Sequence, residues 1–168
     1  MKNNMKILDI KKFNNPVLRK ESQEIKEVDQ EVRELMENMA HTMQKNKGIG
    51  LAAPQVGILK RIIIVVDIES QQVLALANPK ILSKNTETEI EEEGCLSFPN
   101  IFIKIKRATE VEIEALDINN RKIRLKTKGF LAREFQHEID HLNGILFFNR
   151  LDFVQKLGFK LRHPFLKM

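Results

Sequence analysis

The sequence predicts an α+β fold: mostly antiparallel sheets packed around one central helix, with a long helix toward the N-terminus. Three observations carry this. An amphipathic pattern follows Asp29, a block of alternating strands fills residues 101–126, and a second apolar helical pattern occupies 130–142. Helix, strands, then helix, with no regular β–α alternation, is the order of an α+β domain and not of a doubly wound parallel sheet. At 168 residues and 42% hydrophobic, the chain is the size of one domain, expected over 1–168 with a short basic tail from 152 to 168.

Residues 1–28 read as irregular, because Pro16 breaks any early element. Asp29 stands where an N-cap belongs. Val32, Leu35, Met36, Met39, Ala40 and Met43 then recur at helical spacing, predicting about four turns that end near Lys47-Gly48. His41 is off that stripe and reads as a surface residue.

The stretch from Gly48 to Gly57 partly matches a dinucleotide fingerprint through Gly48, Gly50 and Ala53. Its context fails, because a helix precedes it where a strand is required, and Pro54 and Gly57 interrupt the helix that should follow. It reads instead as a loop or short extended segment whose bare backbone allows close approach, with Gln55 as its one side-chain amide.

Ile62 to Ile68 is nearly all apolar and predicts a buried strand; Gln72 to Ala77 is its expected partner, ended by Asn78-Pro79. Glu87 to Glu93 is acidic and leads into Gly94-Cys95-Leu96-Ser97. Ile101, Ile103 and Ile105 alternate, as do Val111, Ile113 and Ala115, and then Ile123 and Leu125, with a turn at 117–121. These are antiparallel strands with one wet face. Ile145 to Phe148 reads as a last short strand. In the tail, Gly158 and Pro164 weaken any helix.

The chemistry concentrates in Gln136-His137-Glu138-Ile139-Asp140-His141. On a helix, His137 and His141 lie one turn apart on one face, able to hold one divalent ion, with Glu138 beside the first ligand as a general base. Phe130, Leu131, Phe135, Ile139 and Leu142 give that helix a broad apolar stripe, and Asn143-Gly144 ends it. A catalytic site of this kind usually takes a third protein ligand. A His three residues after Gly144 would continue one known pattern, but Phe147 stands there. No Glu occurs after Glu138. Cys95, Asp152 and His163 remain as candidates, with thiolate a strong donor for a borderline ion.

Composition narrows the setting. One Cys excludes an internal disulfide, and no apolar run can span a bilayer, so the expected location is the cytoplasm, with no membrane partner. The net charge of +5 is spread along the chain, and Trp and Tyr are absent, so sequence-specific nucleic-acid binding is not expected.

Three segments in order resemble the peptide deformylase family: Gly48-Ile49-Gly50-Leu51-Ala52-Ala53-Pro54-Gln55, Glu93 to Ser97, and Gln136 to His141. The likeness covers roughly residues 5 to 150. It implies hydrolysis of the N-formyl group from nascent peptides that begin with formylmethionine, with transient contact with the ribosome. Cys95, His137 and His141 would be the metal ligands and Glu138 the catalytic base. The Gln55 side chain and the Leu96 backbone N–H would stabilise the oxyanion, and the backbone of Ile49 and Gly50 would pair with the extended substrate. Arg133 and Glu134 would rim the methionine pocket or pair at the surface. One divalent ion per chain is implied, Fe(II) first, with Ni, Co or Zn able to substitute. The tail departs from longer family members, whose extended basic C-terminal helix docks on the ribosome.

Overall fold

The structure is a computed structural model, described here for residues 5–166. Three helices and seven strands are present among these residues: α1 (Gln30–Lys45), β1 (Gly50–Ala52), β2 (Ile62–Asp67), β3 (Gln72–Lys84), β4 (Thr88–Cys95), β5 (Phe98–Ala108), β6 (Glu110–Leu116), β7 (Lys122–Lys128), α2 (Gly129–Leu142) and α3 (Phe153–Arg162). β1-β2-β3-β6-β7 form one antiparallel sheet with β1 at its edge, and β4-β5 form a separate hairpin.

β2 is apolar throughout because both of its faces are covered. Successive side chains of a strand point to opposite faces. Ile63 and Val65 pack with Ala132, Phe135, Ile139 and Leu142 of α2. Ile62 and Ile64 pack with Val32, Met36, Met39 and Met43 of α1. The sheet is therefore sandwiched between the two helices. A third apolar cluster joins Phe98, Ile101, Ile103 and Ile105 of β5 to Phe147, Phe148 and Phe159.

The helix ends follow local chemistry. Asp29 caps α1 by accepting from Val32 N. Gly144 ends α2 at φ +68°, with its own N–H on His141 O and the Ile145 N–H on Asp140 O. A Cβ at Gly144 would lie 2.5 Å from Arg19 O, so this stop also fits α2 against the N-terminal segment.

Three expectations need correction, and one stretch without an assignment gains one. β3 does not end at Asn78-Pro79 but runs on to Lys84 through a shift in register between Ala77 and Lys80. Asn78 takes φ +49° there, and a bulge tolerates Pro79, which has no N–H to give. The acidic segment before Cys95 is strand β4, whose outward Glu side chains face water. Ile145–Phe148 is no strand: Phe147–Arg150 is a turn of 3-10 helix that places Phe147 and Phe148 in the third core. The tail forms α3 straight through Gly158, because Asp152 and Gln155 cap it reciprocally and Pro164 falls beyond its end. Lys167, counted with the basic tail, lies outside the described residues, as do residues 1–4. Among the described residues, no helix is long and apolar enough to cross a membrane.

Candidate metal centre

α2 carries His137 and His141 on one face, with ring centroids 5.0 Å apart. Opposite them, the end of β4 presents Cys95, where the ladder with β5 slips so that Cys95 pairs with Phe98. Cys95 Sγ lies 3.3 Å from His141 Nε2. One donor atom from each of Cys95, His137 and His141 lies within 4.8 Å of the others. The two other candidates for third ligand are engaged elsewhere. Asp152 caps α3, and His163 packs against Phe159 and Phe165.

These donors fit a divalent ion. His137 Nδ1 is 2.9 Å from Glu93 Oε2, so a hydrogen bond donated to that carboxylate leaves Nε2 free to ligate. Burial opposes charge on His137, yet the Cys95 sulfur and Glu93 raise its pKa well above that of an ordinary imidazole. Burial, then the neighbouring His137, push His141 the other way. A buried pocket that favours one positive charge among a thiol and two imidazoles is electrostatically suited to a cation.

Glu138 is buried beside this cluster, and its Oε2 has no hydrogen-bond partner among the described residues. Burial lifts its pKa to about 8, with Glu134 and Glu93 adding to the effect against His137. A buried carboxylate without partners is costly. Its presence marks a group held ready for something that enters the cleft. That cleft has a volume of about 530 Å³ and is lined by Gly48, Ile49, Gly50, Gln55, Glu93, Cys95, Leu96, His137 and Glu138 among others.

The glycine-rich segment forms one wall. A Cβ on Gly50 would collide with the Glu138 carboxylate and crowd that of Glu134, so the close neighbour of this bare backbone is α2 itself. The Ile49 carbonyl accepts from Val66 N at 2.8 Å. Backbone groups alternate sides along an antiparallel strand, so the N–H and C=O of Gly50 face the open edge over the cleft while Ile49 is committed to the sheet. The Gln55 amide is aimed by its surroundings. Its Oε1 accepts from Ala52 N at 2.8 Å, which turns Nε2 toward Cys95 Sγ (3.4 Å) and Ser97 Oγ (3.3 Å). Leu96 lines the same cleft, its carbonyl held by Lys12 Nζ at 3.0 Å.

A buried ionic network under the site escaped sequence reasoning. Arg107 donates from Nε and Nη2 to both oxygens of Glu93 (2.9 and 3.0 Å) and from Nη1 to Asp140 at 2.5 Å. Arg150 also pairs with Asp140. Arg133, expected at the rim or surface, is buried and donates to Glu93 Oε1 at 2.8 Å and to Ile105 O. Burial would raise the pKa of Glu93, but hydrogen bonds from His137 and Arg107 hold it well below the usual carboxylate range. Glu134, on the cleft side, is pushed upward by burial. A signal for Arg107 existed: it continues the inward alternation Ile101, Ile103, Ile105 by one step, where an apolar residue is expected.

Comparison with known proteins matches this geometry to one family. A family profile described as polypeptide deformylase matches residues 7–157. A peptide deformylase of Halothermothrix orenii is 45% identical over 147 residues, covering 88% of this chain and 95% of that one. The crystal structure of peptide deformylase from Thermotoga maritima superposes with a TM-score of 0.84 at 39% identity, covering 88% of this chain and 99% of the other. A Synechococcus elongatus peptide deformylase in complex with actinonin gives 0.87 at 40% identity, covering 96% and 87%.

Proposed function

The chain belongs to the polypeptide deformylase family, and on that premise we propose that it removes the N-formyl group from the initiator methionine of nascent polypeptides, releasing formate. The observation that carries this reading is the convergence of Cys95, His137 and His141 beside the buried, unpartnered carboxylate of Glu138. In this reading the three residues hold one divalent ion. A thiolate with two imidazoles accepts Fe(II), Ni, Co and Zn, and the family resemblance points to Fe(II) as the resident ion. When bound, the ion supplies Lewis acidity, which acidifies water and polarises a carbonyl.

The protein's own groups do the rest. Glu138 takes the proton from the attacking water and delivers it to the leaving amine nitrogen. The Gln55 side-chain N–H and the Leu96 backbone N–H stabilise the oxyanion of the tetrahedral intermediate, as donors fixed in advance do best. The Gly50 backbone, with Ile49 beside it, pairs with the extended peptide as an added strand on the edge of the sheet. Ile49 and the helix before His137 form part of the methionine pocket. We read residues 1–168 as one catalytic domain that acts in the cytoplasm and meets the ribosome transiently.

The test is formate release from formyl-Met-Ala-Ser, run beside the unformylated peptide. The expected result is stoichiometric formate with no cleavage of the second peptide. Cleavage of the unformylated peptide would make the protein a peptidase and refute the reading.

A further inference from the structure

The largest unexplained feature lies at the far end of the chain. Phe153, Val154 and Leu161 of α3 are 82%, 76% and 75% exposed, and Leu157 and Phe165 are more than half exposed. At 100° per residue, Phe153, Leu157, Leu161 and Val154 share an arc of about 100°, and Phe159 lies on the opposite side. Phe159 is fully buried and stacks on Phe148 with ring centroids 5.6 Å apart. The helix cannot roll its apolar arc inward without pulling Phe159 out of the third core. The apolar face is therefore held outward by the fold.

Charge defines what fits this face. Lys160 lies at one edge of the arc with Lys156 beyond it, Arg162 lies about 80° past the other edge, and no acidic residue occurs from Phe153 to Arg162. An apolar stripe flanked by Lys160 and Lys156, with Arg162 long enough to reach back toward the surface, suits a helix lying in the plane of an anionic lipid surface, with the rings among acyl chains and the cations at headgroup level. A second copy fits less well. The patch is on the order of 500 Å², against about 800 Å² per partner for a stable interface. Antiparallel pairing of the arcs would also set the Lys156–Lys160 edge of one copy against that of the other. An RNA partner would take the cations and leave Phe153, Leu157 and Leu161 in water.

We propose that the outward face of α3 docks the protein on anionic membrane surfaces. Spanning is not involved; the helix lies on the bilayer. The chain has no Trp, so Phe153→Trp places one indole on the docking face. The experiment uses the full chain with vesicles of phosphatidylcholine alone or mixed with phosphatidylglycerol. The expected result is partitioning at least tenfold stronger on the anionic vesicles, weakened by salt, with a blue shift in the emission of the introduced indole. The double variant Leu157→Asp, Leu161→Asp should lose that partitioning while formate release from a short formylated peptide stays unchanged. No vesicle binding, or binding that survives the double variant, would overturn the proposal. So would salt-resistant self-association abolished by the double variant, or retention on duplex RNA without binding to vesicles.

Discussion

Replacing Glu93 with Gln tests the ionic network under the site. Glu93 accepts four hydrogen bonds: two from Arg107, one from Arg133 and one from His137. The amide keeps the shape but loses the charge and turns an N–H₂ toward a donor. Breaking a buried pair costs about 3–5 kcal/mol. Arg107 keeps Asp140, and Arg133 keeps the carbonyls of Ile105 and Glu89, so neither guanidinium is stranded. The loss should fall at the low end of that range, about 3 kcal/mol. For a chain of this length that lowers Tm by about 6–12 °C. His137 loses the acceptor that orients its ring, which should weaken metal binding about 10–100-fold. The assays are thermal unfolding of metal-stripped protein and metal affinity by chelator competition. Glu138→Gln is the matched control: Glu138 Oε2 has no partner to lose, so its variant should be as stable as the parent or more so. If Glu93→Gln keeps the parental Tm and metal affinity, the network neither holds the fold nor orients His137.

Other substitutions probe the remaining parts. Glu138→Gln should retain metal and lose turnover by on the order of a hundredfold or more, read as kcat at full metal occupancy. Cys95→Ser should weaken metal binding with the fold intact; stoichiometric metal at a normal rate would remove Cys95 from the ligand set. Gly50→Ala drives a methyl into the Glu138 carboxylate, and a displaced base should cost on the order of a hundredfold in kcat/KM while metal is retained. Glu114 lies away from the centre, covered by Lys80, Lys122 and Arg124, whose side chains are mostly exposed. Hydrogen bonds from Lys122 and Lys80, then Arg124, hold its pKa down to about 2. A carboxyl whose pKa falls on folding stabilises the fold above its unfolded value near 4.5 and loses that contribution as pH drops toward 2. Glu114→Gln should therefore flatten the stability profile in that window, and salt should shrink the difference, because the partners are solvated.

What the sequence disclosed and what it concealed divide along a physical line. Periodicity is local, so α1, β2, β5 to β7 and α2 were legible from apolar spacing. The His pair was legible because one helical turn brings His137 and His141 together. Cys95 was one candidate among three, since its place opposite the helix depends on a slip in the β4–β5 ladder that no spacing rule encodes. Glu93 and Arg107 are 14 residues apart on paired strands, and Asp140 is 33 residues beyond Arg107. No spacing in the sequence ties them together, and only the packing of α2 on the hairpin makes them partners. The same applies to α3. Gly158 argues against a helix by propensity, at a cost of about 1 kcal/mol. Asp152, Gln155 and the burial of Phe159 outweigh that cost once the Phe98, Phe147 and Phe148 cluster exists to receive the ring. Where a residue's role depends on a neighbour distant in the chain, composition describes its chemistry and the fold alone decides its use.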